Sequence, residues 1–300
     1  MLTSTELATA PLGVDAVTLV ELLQARARLA PDATGYVFLR DGEHEGERLT
    51  YAELDRAARR VAGVLRAHAA PGDRALLLFP FGADYLCAFF GCLYASVVAM
   101  PAYPPSAARP ERALKRLRAM MSDAAAELVL GTTDVIEAMR AASAADAAWQ
   151  SARFVAADAW RDADASFEPR DIDAGTLAFL QYTSGSTGVP KGVMLTHANL
   201  MHNSGQICRA FGNDATTRVV SWLPLYHDMG LIGGALQPLY LGTPCVLMSP
   251  IDFLQRPLRW LEAIARYRAT TSGGPNFAYE LCLRRSTPEQ RATLDLSSWR

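Results

Sequence analysis

The chain has 300 residues, half of them hydrophobic and one fifth charged, with a net charge of -2. That length suits one large domain or two modest ones with a real core. The near-neutral charge offers no electrostatic handle to nucleic acid or to an anionic membrane. The five cysteines are odd in number and form no C-x-x-C pair. They argue against a disulfide or metal framework and read as buried thiols of a reducing cytoplasm.

Met1 to Gly13 carries no basic residue and no apolar core, so it does not read as a signal peptide. Val17 to Leu29 places Leu19, Leu22, Leu23 and Leu29 near helical spacing. Tyr36 to Leu39 and Arg48 to Thr50 read as short strands joined by the charged turn Asp41 to Glu47. Thr50 and Glu53 form a capping-box pattern, starting a helix with Leu54, Ala58, Val61 and Leu65 on one face. Ala75 to Phe79 is a continuous apolar run, as expected of a strand buried on both faces. Gly82 to Ala95 reads as helix and Ser96 to Met100 as strand. The uncharged run Tyr85 to Met100 is too short for a comfortable membrane span and is flanked by Asp84 and Pro101.

This alternation of strand, helix and strand predicts a parallel sheet. Pro101, Pro104 and Pro105 end the unit in an extended segment. Arg109 to Ser122 reads as a basic helix with a solvated face, and Glu127 to Leu130 as a buried strand. Thr133 to Ala148 reads as an alanine-rich helix and Phe154 to Ala156 as a strand. The polar, acidic stretch Arg161 to Asp173 reads as a connection between two sub-domains, 1–172 and 173–300.

Gln181-Tyr-Thr-Ser-Gly-Ser-Thr-Gly-Val-Pro-Lys-Gly192 is rich in hydroxyls and glycine and ends in one lysine. Apolar runs flank it, Leu177 to Leu180 before and Val193 to Leu195 after. Gly185 and Gly188 let the main chain approach a ligand closely. Thr183, Ser184, Ser186, Thr187 and the backbone N–H groups supply donors, and Lys191 a positive charge. Such a set suits a polyphosphate. It is not a Walker A loop, because Pro190 precedes the lysine, Gly192 follows it and a strand-like run comes next. The competing reading is a Ser/Gly linker.

Beyond the loop, Thr196 is placed to cap a helix with Leu200, Ser204, Ile207 and Phe211 on one face. Val219 to Leu223 reads as a strand that ends in the turn-like Pro224 to Gly230, with His227 near its centre. Gly233 and Gly234 lie in a helix-like stretch where small residues permit close packing. Cys245 to Met248 reads as strand, and Pro257 starts a helix with Leu258, Leu261, Ile264 and Ala265 on one face. Thr270 to Phe277 runs from strand through a glycine turn into a helix start. Ligand-contacting loops often lie at the carboxyl ends of parallel strands. His227 by itself reads equally as a core histidine bonded to backbone or as a site group.

Tyr182 to Gly192 resembles the phosphate-loop signature of the adenylate-forming superfamily. That superfamily holds acyl-CoA synthetases, luciferases and the adenylation domains of peptide synthetases. Within it, Ser221-Trp-Leu-Pro-Leu-Tyr-His-Asp-Met-Gly-Leu-Ile-Gly233, Phe253 to Trp260 and Thr270 to Tyr279 resemble the fatty-acyl-AMP ligases. Leu49 to Leu54, Gly91 to Ala95 and Val98 to Pro105 match earlier blocks of that family. The resemblance runs from Val17 onward.

The resemblance implies an α/β fold of two parallel-sheet αβαβα sub-domains, the second truncated and the C-terminal lid domain absent. It also implies that the adenine, ribose and magnesium segments and the adenylation lysine lie beyond Arg300. ATP and a fatty acid would give an acyl-adenylate, and the acyl group would pass to the phosphopantetheine thiol of an acyl carrier protein. The setting would be lipid, polyketide or lipopeptide synthesis. ATP and Mg2+ are the implied cofactors, and no residue of the chain is assigned to the metal. Thr183, Ser184, Gly185, Ser186, Thr187, Gly188 and Lys191 would hold the phosphates, and His227, Gly274, Asn276 and Phe277 the substrate. Lys191 and His227 would serve the reaction. An acyl-CoA synthetase or amino-acid adenylation domain is the nearest alternative, and a catalytically incomplete nucleotide-binding fragment is the alternative of another class.

Overall fold

The computed structural model describes residues 14–105, 110–144, 146–169, 171–183 and 190–300. Its strands are β1 Thr34–Leu39, β2 Glu45–Thr50, β3 Arg74–Leu78, β4 Val98–Ala102, β5 Leu128–Gly131, β6 Arg153–Ala156, β7 Leu177–Thr183, β8 Lys191–Thr196, β9 Val219–Ser221 and β10 Cys245–Met248. Its helices are α1 Leu19–Leu29, α2 Tyr51–Leu65, α3 Ala83–Tyr94, α4 Pro110–Ala124, α5 Thr133–Ser143, α6 Asp158–Arg161, α7 His197–Ala210, α8 Gln237–Leu241, α9 Pro250–Gln255, α10 Leu258–Tyr267, α11 Asn276–Arg284 and α12 Pro288–Ala292. A 3-10 turn, Ala147–Trp149, and a π-helix, Met229–Leu236, complete the described elements.

The contacts separate two compact units, one of residues 22–53 and 201–300 with 14–16, the other of 54–200 with 17–21. The sequence expectation divides the chain at 172/173, and the units divide elsewhere for a specific reason. β7 joins the earlier strands through β4, with Ala99 opposite Phe179. β1, with β2 on its other edge, instead joins β10, more than two hundred positions later in the chain than β1. Sequence order and sheet membership therefore part company.

The unit of residues 54–200 holds a six-stranded sheet in the order β6-β5-β3-β4-β7-β8. The pairings are parallel except that of β7 with β8, which is antiparallel. Ala75 to Leu78 are fully buried, as their unbroken apolar run demands. Every residue of α3 except Asp84 is buried. The expected end of the strand at Met100 is overrun by two residues. Pro101 sits inside β4 opposite Leu77, where its fixed φ is compatible with extended backbone and the β4–β7 ladder is confined to Ala99.

The unit of residues 22–53 and 201–300 holds a four-stranded sheet in the order β2-β1-β10-β9. β10 lies parallel to both β1 and β9, and β2 is antiparallel to β1. Val37, Leu39, Val220, Val246 and Met248 pack with Phe253, Trp260 and Ile264 in its core. The Thr50–Glu53 capping box forms: Thr50 N–H donates to Glu53 Oε2 at 2.8 Å and Glu53 N–H to Thr50 Oγ1 at 3.2 Å. The buried Arg26 donates to the Leu239 and Tyr240 carbonyls at the end of α8. Thr270 to Ser272 contributes only a single bridge, Thr271 to Val219, in place of the expected strand. No described helix is long and apolar enough to cross a membrane.

Candidate active site

In the unit of residues 54–200, β7 and β8 are the two arms of a hairpin. Thr183 faces Lys191, and Tyr182 faces Gly192. Ser184, Gly185, Ser186, Thr187 and Gly188 lie outside the described residues. The arms themselves set the mouth of the loop. Tyr182 is buried and donates its hydroxyl to Asp123 Oδ2 at 2.7 Å. Its ring lies so close to Gly192 that a Cβ there would meet the ring at 3.0 Å. Glycine after the lysine thus answers a cross-strand demand as well as any ligand. Burial and the neighbouring Asp123 raise the Tyr182 hydroxyl above the usual phenol range. Thr183 and Lys191 are exposed, and Lys191 forms no ion pair among the described residues.

In the other unit, β9 ends at Ser221 and the chain turns through Trp222 to Asp228. Trp222 stacks on Phe253 with ring centres 3.8 Å apart and meets Trp260 and Phe277 edge-on. This aromatic packing holds the root of the turn. His227 and Asp228 are both largely exposed, and His227 Nδ1 lies 3.2 Å from Asp228 Oδ1. Asp228 Oδ1 also accepts from Met229 N–H at 2.7 Å, capping the π-helix. Partial burial pushes the Asp228 carboxyl up, but the bonds from His227 and Met229 outweigh it and hold the group below its ordinary value. Gly230 is dictated by the turn, because a Cβ there would fall 2.1 Å from the Pro224 carbonyl oxygen.

A cleft of about 510 Å³ opens in this unit between α7, β9, the π-helix and residues 271–273. Ile207, Phe211, Leu223, Met229 and Ile232 make it mainly apolar, with Asn203, Asp228 and Gln237 among its polar groups. Its size is that of a small-molecule pocket.

The pattern of the AMP-binding enzyme family matches residues 23–300 of this chain. The chain belongs to the AMP-binding enzyme family. Among curated relatives, this AMP-binding enzyme is 47% identical over 285 residues to the medium-chain-fatty-acid–[acyl-carrier-protein] ligase JamA of Moorena producens, covering 94% of this chain and 48% of that protein. The crystal structure of a fatty acid AMP ligase from Legionella pneumophila superposes with a TM-score of 0.87 at 40% identity, covering all of this chain and 50% of that one. A fatty acyl-adenylate ligase from L. pneumophila, in complex with acyl adenylate and pyrophosphate, superposes with a TM-score of 0.85 at 40% identity over 95% of this chain and 49% of that one. The chain spans about half the length of the curated relatives it matches.

Within this AMP-binding enzyme, none of the four residues expected at the substrate, His227, Gly274, Asn276 and Phe277, lines the cleft. Asp228 lines the cleft, whereas its neighbour His227 does not. Gly274 lies against the Trp222 ring, where a Cβ would fall 2.8 Å from Cζ2. Asn276 is exposed at the start of α11, and Phe277 is half-exposed. None of these three lines the cleft, but Gly273 does. The sequence reading missed the α7 wall of Asn203, Ile207 and Phe211. One signal was present, since Leu200, Ile207 and Phe211 fall on one apolar face in the sequence, and Phe211, just past the end of α7, is 66% exposed.

Proposed function

We propose that this chain provides the fatty-acid and ATP-phosphate sites of an ATP-dependent ligase that makes a fatty acyl-adenylate and passes the acyl group to an acyl carrier protein. The observation that carries the reading is the apolar cleft at the carboxyl end of β9, bordered by Asp228, in a chain of the AMP-binding family. A cleft with apolar walls and few polar groups takes an alkyl chain by removing its surface from water.

In the first step a carboxylate oxygen of the fatty acid attacks the α-phosphorus of ATP. The bond to the β-phosphate breaks, and pyrophosphate carries the charge away. Lys191 is an exposed cation without an ion-pair partner among the described residues, and its place in this step is to offset the charge growing on pyrophosphate. Thr183, Ser184, Ser186 and Thr187 with the backbone of Gly185 and Gly188 complete the phosphate grip. His227 orients the carboxylate, and Asp228 holds the imidazole and the start of the π-helix. Gly274 and Phe277 support the same end of the site through Trp222, and Asn276, exposed at the start of α11, is assigned to the substrate with them. In the second step the phosphopantetheine thiol attacks the acyl carbonyl carbon. The thioester forms, AMP leaves, and the thiol proton passes to solvent.

Magnesium accompanies ATP phosphates in such chemistry. Among the described residues no three His, Cys, Asp or Glu side chains cluster to hold a metal ion. The reading carries with it work in the cytoplasm, within lipid, polyketide or lipopeptide synthesis.

The test uses the full-length protein with ATP, magnesium and labelled fatty acid, offered either CoA or a phosphopantetheinylated carrier. The expected products are acyl-adenylate and then acyl-carrier thioester. Acyl-CoA as the sole thioester would overturn the acceptor, and no adenylate with any fatty acid would overturn the function.

A further inference from the structure

Three glycines of the π-helix region answer to different constraints. At Gly230 and Gly234 a Cβ would strike at 2.1 Å the Pro224 carbonyl oxygen and at 2.8 Å Ser221 Oγ, so the fold requires glycine. Gly233 differs. A Cβ there would meet nothing within 4 Å, and its φ is not positive. Neither backbone strain nor a neighbouring atom demands glycine at this position. Glycine inside a helix costs stability because the unfolded chain loses more freedom on ordering. Gly233 is partly exposed, and it lines the apolar cleft.

The wall nearby carries a second mark of a built site. Gln237 is 3% exposed and donates Nε2–H to the Ser204 carbonyl at 3.2 Å. Its Oε1 has no hydrogen-bond partner among the described residues. A buried amide oxygen left unsatisfied is costly, and it seldom persists without a purpose. Met229 and Phe211 stand half or more exposed along the same cleft, leaving apolar surface in water that an alkyl chain would cover.

We infer that Gly233 is a specificity-determining residue: its missing side chain reserves the space that sets how long an acyl chain the cleft admits. The inference rests on the proposed fatty-acid adenylation. A Cβ at 233 meets no protein atom within 4 Å, so a side chain there takes its space from the cleft. One methylene gained or lost in an apolar pocket changes kcat/KM by about 10–200-fold. Selection by length follows from steric exclusion at this one position.

The test is a chain-length series of saturated fatty acids with ATP and the full-length protein, read as acyl-hydroxamate formation. Gly233→Leu is expected to lower the ratio of kcat/KM for the longest accepted acid over that for the shortest by at least about 10-fold. Gly233→Ala should shift the same ratio in the same direction by less, with Tm close to the parent. Gly91→Ala is the contrast: a Cβ there would fall 2.3 Å from the Val61 side chain and Gly91 does not line the cleft, so the variant should lose Tm without changing the ratio. An unchanged length profile in both Gly233 variants, or an equal loss across all lengths, overturns this inference and leaves the adenylation reading standing. A parent protein inert towards every fatty acid overturns both.

Discussion

His197 opens α7 and is buried, with its Nδ1 accepting the Leu19 N–H at 3.2 Å. An imidazole that accepts at Nδ1 in a dry site must stay neutral there. Burial accordingly pushes its pKa down to about 4 from an ordinary 6.5, against the weaker opposing pull of Glu21 and Asp173. Between these values the unfolded chain binds a proton that the folded chain refuses. Stability from this group is therefore full above about pH 6.5 and falls as the pH drops toward 4, by up to about 3 kcal/mol. His197→Gln keeps an acceptor and removes the titration. Its Tm is expected to lose the extra pH slope in that window, and an unaltered slope would place the acid lability elsewhere. Lys191 calls for a different measurement. Lys191→Ala should weaken ATP binding by about 1–3 kcal/mol, the value of a charge-assisted contact, and calorimetric titration showing equal affinity would remove it from the phosphate site. Lys191 was legible in the sequence because a lone lysine after a hydroxyl-rich loop is a local pattern. Gly233 was legible only as a glycine, since its meaning depends on what its absent side chain would touch.

At the scale of elements, strands and capped helices follow their local signals closely. The Thr50–Glu53 box forms, and Thr196 caps α7 through a reciprocal pair with Asn199. The π-helix is the exception. Met229 to Leu236 is apolar or glycine throughout, so it carries no alternation of polar and apolar residues from which a period can be read. Its wide turn arises from tertiary demands at its start, where Asp228 caps Met229 and Gly230 is wedged beneath Pro224. π-turns of this kind concentrate at functional sites. Gly230→Ala should destabilise the protein by about 1–3 kcal/mol through forced displacement of that turn. Differential scanning calorimetry checks this, and an unchanged Tm would mean the turn yields without cost.

Over the whole molecule, the five cysteines test the two cores together. Burial pushes the Cys92 and Cys245 thiols far up and Cys282 up to about 11. Cys87 is also buried, and Cys208 alone is half-buried, its thiol donating to the Asn213 carbonyl. A thiol reagent at neutral pH is expected to modify Cys208 first in the native protein and all five only in denaturant, because the thiolate is the reactive form. Rapid labelling of Cys92 or Cys245 in the native state would show that a core opens. What the sequence by itself determined is the α/β alternation, the strand arms on either side of the hydroxyl- and glycine-rich stretch and the turn that bears His227. Each is written within a few consecutive residues as apolar runs, caps and turn formers. Only the tertiary structure decided that β7 and β8 extend the earlier sheet, that β1 pairs with β10, and that residues from 203–213, 219–223, 228–237 and 271–273 line one cleft. Those outcomes rest on contacts between distant segments, and the free energy of burying one apolar face against another leaves no mark on local spacing.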